Sequence, residues 1–131
     1  MKIKNESIVA LVFNGANNIT ATELVPAQAY RVIKFRRALN AAFEKVRDAE
    51  KTLLEENHLK VNDKGEIEGK EVDRKKFVEL RVELYKDEAE LDCKVIPFDE
   101  WCKLKKENKV LSNPAIEDTL EGVLWEAPAE E

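Results

Sequence analysis

The chain has 131 residues, a net charge of −5, 44% hydrophobic and 37% charged residues, and only 4 Gly and 4 Pro. A chain of that length makes one compact domain that buries roughly two-thirds of its unfolded surface, and its apolar content excludes disorder throughout. The longest apolar run, Ile8–Phe13, falls far short of the about 20 residues that a membrane-spanning helix needs.

The first element reads as a short helix. Asn5 is its expected N-cap, Glu6 brings a negative charge to the first turn, and Ile8, Leu11, Val12 and Ala16 share a stripe. A short strand through the Ile8–Phe13 run is the alternative; Gly15-Ala16-Asn17-Asn18 ends the element either way. Residues 20–25 connect to Pro26, a residue suited to a first helical position.

Residues 27–57 carry the strongest pattern. Val32, Phe35, Leu39, Ala42, Val46, Ala49 and Leu53 are spaced alternately by three and four, with no Gly or Pro among them. That is a heptad seam on a helix about 46 Å long, and Ile33, Phe43 and Leu54 widen it on one flank. Residues 58–70 break the pattern, with Asn62-Asp63-Lys64-Gly65 supplying turn chemistry. A second helix is expected over 72–91. Phe77, Leu80, Leu84 and Leu91 lie on one stripe, Val78, Val82, Tyr85 and Ala89 on the next, which implies a broad buried face.

Beyond Asp92, Cys93–Pro97 is extended in character, a minor β segment that Pro97 terminates. Phe98–Trp101 reads as a helical turn docking two aromatics, and a basic stretch follows from Lys103 to Lys109. The last helix opens with Asn113 as N-cap and Pro114 at the first position, and its apolar face is Ile116, Leu120, Val123 and Leu124. Residues 126–131 form an acidic frayed tail, leaving 1–125 as a single helical domain. The expected fold class is therefore mainly α: a long antiparallel helical hairpin with short N- and C-terminal helices packed on it.

Charge is unevenly spread. Residues 1–47 hold 8 basic and 3 acidic groups, a balance of +5, while residues 48–131 hold 14 and 24, a balance of −10. Antiparallel pairing of the two long helices would set Arg36, Arg37, Lys45 and Arg47 against Glu83, Asp87, Glu88, Glu90 and Asp92. Such surface pairs contribute only about 0–1 kcal/mol each, but they fix orientation. Cys93 and Cys102 are nine residues apart, which fits neither a redox pair nor a zinc pattern. They read as buried or half-buried thiols of a reducing compartment. Met1–Glu6 has no signal-peptide core, so the cytosol is the expected location.

Across most of its length the chain resembles a family of small phage- and prophage-encoded proteins of unknown function. The resemblance is carried by Lys2-Ile3-Lys4-Asn5, the segment Pro26–Lys34 with Tyr30, the Asp63-Lys64-Gly65-Glu66 turn, Phe77-Val78-Glu79-Leu80 and Val95-Ile96-Pro97. It implies a phage or mobile-element setting, in a bacterial host cytoplasm or a virion, and brings no catalytic residues.

Constellations with chemical potential are few. Lys60–Glu71 has the outline of a calcium loop, with Asn62, Gly65 and Glu71 in place, but Lys60 and Lys64 occupy ligand positions. Glu55 and His58 form one Glu-x-x-His pair, yet His58 is the only histidine, and a di-iron bundle needs two such pairs. Glu79, Glu83 and Asp87 make a carboxylate row, which reads as a solvated face because the facing helix is basic. No phosphate-binding glycine loop or nucleophile elbow occurs.

No catalytic, cofactor or metal residues are assigned. Arg31, Lys34, Arg36, Arg37, Trp101 and Trp125 are the candidate interaction residues, the tryptophans as core or interface anchors. The expected function is a non-catalytic structural, assembly or protein-interaction role, as a homo-oligomer or with a partner protein. The alternative is a nucleic-acid-associated regulator that uses the basic first third, with Lys103, Lys105, Lys106 and Lys109 as further phosphate contacts. The acidic balance weighs against that alternative.

Overall fold

The computed structural model describes residues 2–126, so nearly all of the tail expected at 126–131 lies outside the described residues. In chain order the elements are β1 (Lys2–Lys4), α1 (Asn5–Phe13), a 3-10 turn at Ala16–Asn18, α2 (Pro26–Glu56), β2 (Lys60–Val61), β3 (Ile67–Glu68), α3 (Glu71–Lys86), β4 (Glu88–Glu90), α4 (Phe98–Glu107), a second 3-10 turn at Lys109–Ser112, and α5 (Pro114–Leu120). The protein is mainly helical, dominated by the 31-residue α2. Among the described residues no helix is long and apolar enough to cross a membrane.

The heptad seam does what its spacing dictates, but unevenly. Val32, Phe35, Leu39 and Ala42 enter one core with Ile8 and Leu11 of α1, Trp101 and Leu104 of α4, Leu111, Ile116 and Leu120. Val46 is also buried, whereas Ala49 and Leu53 are only half-covered. Beyond Ala42 the neighbour of α2 is α3: Tyr85 Oη donates to a Glu50 carboxylate oxygen, and Ala49, Leu53, Leu80 and Leu84 floor a groove between the two helices.

Three expectations about caps and element bounds need correction. Asn5 does not cap α1, whose N-cap is Lys4. Its side chain donates to the Leu84 carbonyl at 2.8 Å and its backbone N–H to the Asp87 carbonyl at 2.9 Å, so it closes the end of α3 instead. That helix stops at Lys86 rather than near 91, because Glu88–Glu90 pairs antiparallel with Lys2–Lys4. The register explains the choice: Lys2 lies opposite Glu90, Ile3 opposite Ala89 and Lys4 opposite Glu88, giving opposite charges on one face and a buried Ile3 on the other. The β segment expected at 93–97 reduces to a single bridge between Ile96 and Trp125, since Pro97 has no N–H to extend a ladder and serves as the N-cap of α4.

The broad buried face expected of α3 is not there. Phe77 is its one buried residue, while Val72, Val78 and Val82 are 74%, 47% and 47% exposed. With the helix ending at Lys86, Ala89 and Leu91 leave its stripes for β4 and the following loop. The link 58–70, read as a turn, is a small hairpin in which Asn62 Oδ1 accepts from the Lys64 and Glu66 N–H groups. Gly65 there has φ 80, which only a residue without Cβ adopts cheaply.

Burial, and secondarily the bond to Glu50, pushes the Tyr85 hydroxyl up to about 12. Its unfolded value lies near 10, so the folded state resists deprotonation. This contribution is intact below about pH 10 and is lost as pH rises towards 12. The Tyr85→Phe variant is expected to show a flatter stability profile over that range than the natural chain, measured by urea unfolding at stepped alkaline pH.

Candidate functional site

The six candidate residues separate into two groups. Trp101 and Trp125 are core residues, 0% and 7% exposed, stacked with ring centroids 5.3 Å apart and planes 8° from parallel. Phe98, on the first turn of α4, leans on Trp125 at 5.8 Å and is partly exposed. Glu117 of α5 organises the stack: its carboxylate accepts from Lys105 at 2.9 Å and from the Trp101 indole at 3.4 Å, and its backbone carbonyl accepts from the Trp125 indole at 3.3 Å. The bond from Lys105, with a lesser one from Trp101, holds the Glu117 carboxyl below the usual carboxylate range. Both indole N–H groups are thereby satisfied, and the tryptophans anchor the core rather than a partner. Sequence reasoning missed Glu117, whose only legible signal was an acid in a first helical turn.

The basic residues of α2 divide again. Arg31 lies 3.6 Å from the buried Glu100, and Arg36 donates through Nε to the Asn17 carbonyl at 3.0 Å. Lys34 and Arg37 are exposed and, with Tyr30, Ala38 and Asp92, line a shallow pocket of about 260 Å³. Glu100 holds the third position of α4, from which a glutamate ordinarily reaches back to the N-cap N–H. Here the N-cap is Pro97, which has no N–H, and Oε2 of Glu100 is buried without a hydrogen-bond partner. Arg31 thus offsets a charge that the helix start leaves uncompensated.

The charge pairing expected between the long helices is corrected by these contacts. Among the described residues the ion pairs are Arg31–Glu100, Lys75–Glu71 and Lys105–Glu117. The guanidinium of Arg47 lies over Phe43 of its own helix, 5.9 Å from the ring centroid. Side chains one turn apart on a helix, or across the core, are already placed to meet, whereas pairing long side chains across α2 and α3 would cost rotamer freedom for little gain.

Of the other constellations, Glu83 and Asp87 rim the α2–α3 groove, and His58 is an exposed residue at φ 58 just past the end of α2. Among the described residues no three His, Cys, Asp or Glu side chains converge as a metal site would require. Cys93 is half-buried, with Sγ 3.7 Å from the Val123 carbonyl, and burial pushes its thiol up. Cys102, expected to be at least half-buried, is exposed. Comparison with protein-family models, curated proteins and solved structures finds no match.

The contrast between Arg31 and Lys34 is measurable. Arg31→Ala leaves the Glu100 carboxylate without its cation and is expected to cost about 1–3 kcal/mol of stability. Lys34→Ala is expected to stay within about 0.5 kcal/mol of the natural chain. Denaturant midpoints of the two variants test this directly.

Proposed function

We propose that the protein is a non-catalytic structural or protein-interaction component, built as an antiparallel hairpin of α2 and α3 with the short terminal helices packed on it. It works in assembly, by associating with further copies of itself or with a partner protein. The supporting observation is the surface of α3. The helix carries apolar side chains on two sides, Leu80 and Leu84 towards the groove and Val78 and Val82 away from it, and of all its residues only Phe77 is buried. Neighbouring valines one helical turn apart in water, beside a groove floored by Ala49, Leu53, Leu80 and Leu84, form the kind of surface that association covers. A phage or prophage setting, in the host cytoplasm or a virion, belongs to the same proposal and rests on the resemblance carried by residues 26–34 and the shorter matching segments. Sedimentation velocity at micromolar concentration is expected to show a dimer or larger species; a clean monomer overturns the self-association part of this reading.

A second reading draws on Tyr30, Lys34 and Arg37 around one pocket, an aromatic ring and two exposed cations that would suit a nucleic-acid backbone. Asp92 in the same pocket and the net charge of −5 oppose it. Fluorescence anisotropy with labelled single- and double-stranded DNA is expected to show no binding at about 50 mM salt. Binding that weakens steeply with added salt would favour this second reading over the first.

A further inference from the structure

The charge of α2 runs against the helix dipole. Its first half carries Arg31, Lys34, Arg36 and Arg37 with no acid, its last turn ends in Glu55 and Glu56, and it has neither an acidic first turn nor a basic last one. A helix has a partial positive charge at its N-terminus and a partial negative charge at its C-terminus, so this layout costs stability in an isolated helix. The cost is not recovered inside the molecule through pairing with α3, because the ion pairs among the described residues lie elsewhere.

The exposed face of α2 carries a charge pattern of its own. Tyr30, Lys34, Arg37, Ala41, Glu44, Asp48 and Lys51 are spaced alternately by four and three, a second heptad line distinct from the buried seam, and every one of them is exposed. The line is self-complementary under reversal. If a second copy of α2 lies antiparallel about a two-fold axis at Ala41, Lys34 comes level with the copy's Asp48, while the copy's Glu44 and Lys51 lie one residue from level with Arg37 and Tyr30. Each relation occurs twice, and the small Ala41 sits where the helices come nearest. Antiparallel packing also sets the two macrodipoles head to tail. A parallel pair would align Lys34 with Lys34 and Glu44 with Glu44, and is disfavoured by the same charges.

We infer that the exposed face of α2 is a homodimer surface that binds a second copy of this chain antiparallel about a two-fold axis near Ala41. This rests on the association reading above and adds which face is used. The contact is polar, so it weakens with ionic strength, and it leaves Val78 and Val82 of α3 uncovered for another partner.

The test uses the full chain in a Cys102→Ser background, which removes the exposed native thiol. Ala41→Cys is expected to form an intermolecular disulfide through position 41 under mild oxidation, because a two-fold axis brings a residue against itself. In sedimentation at about 50 mM salt, Lys34→Glu is expected to weaken dimerisation about tenfold, since two attractions become two repulsions. The double variant Lys34→Glu with Asp48→Lys is expected to restore it. Circular dichroism melts confirm that each variant folds. A dimer that does not cross-link at position 41 and ignores the charge exchange overturns the α2 face but leaves association standing, as does a dimer lost in Val78→Asp with Val82→Asp. A monomer at that salt overturns both the α2 face and the self-association part of that reading.

Discussion

The fold depends on one commitment, the burial of the first half of the α2 seam. Val32, Phe35, Leu39 and Ala42 are almost wholly removed from water, and elements from both sides of α2 in the chain fold onto it to achieve this. The N-terminal side supplies Ile3, Ile8 and Leu11, and the C-terminal side supplies Trp101, Leu104, Leu120 and Leu124. At roughly 1.5–3 kcal/mol for each large aliphatic or aromatic side chain buried, this cluster outweighs any surface ion pair in the molecule. It also uses up the short elements. By the time α1, α4 and α5 are seated on the first half of α2, little apolar material is left for the second half, which makes do with α3.

Electrostatics in this protein acts locally and at element ends. Lys105 and Glu117 tie α4 to α5 and orient the tryptophan pair. Arg31 attends to the one carboxylate that the start of α4 leaves unsatisfied. Asn5 closes the end of α3, and the Lys-Ile-Lys and Glu-Ala-Glu strands oppose their charges. None of these pairs α2 with α3. The charges along the outer line of α2 stand apart from the rest, taking part in none of the ion pairs among the described residues.

What could be read from sequence follows the range of the interactions responsible. The bounds of α2 were legible to within one residue, since the heptad spacing and Pro26 are local. The start of α5 was legible for the same reason: Asn113 Oδ1 accepts the Ala115 N–H at 3.0 Å beside Pro114, as a capping residue should. The β1–β4 pair was not legible. Three-residue strands have too few positions to show a period, and the apolar spacing of α3 continues smoothly through Ala89 and Leu91, past the point where the helix stops. Of the candidate residues, Lys34 and Arg37 lie at the surface. The roles of Arg31 and Arg36 depended on Glu100 and Asn17, distant in the chain or lying in an irregular turn, and no local pattern announces such partners.

The pairing of Lys2–Lys4 with Glu88–Glu90 also has a consequence in time. During synthesis the opening strand leaves the ribosome long before its complement exists, and at roughly 5–20 residues per second several seconds pass before residue 90 emerges. Over that interval α1 has its apolar stripe but neither its strand partner nor the tryptophans that complete its core. Closure of the fold therefore waits for residues 88–125, and residues 2–13 are the part most in need of shelter in the meantime.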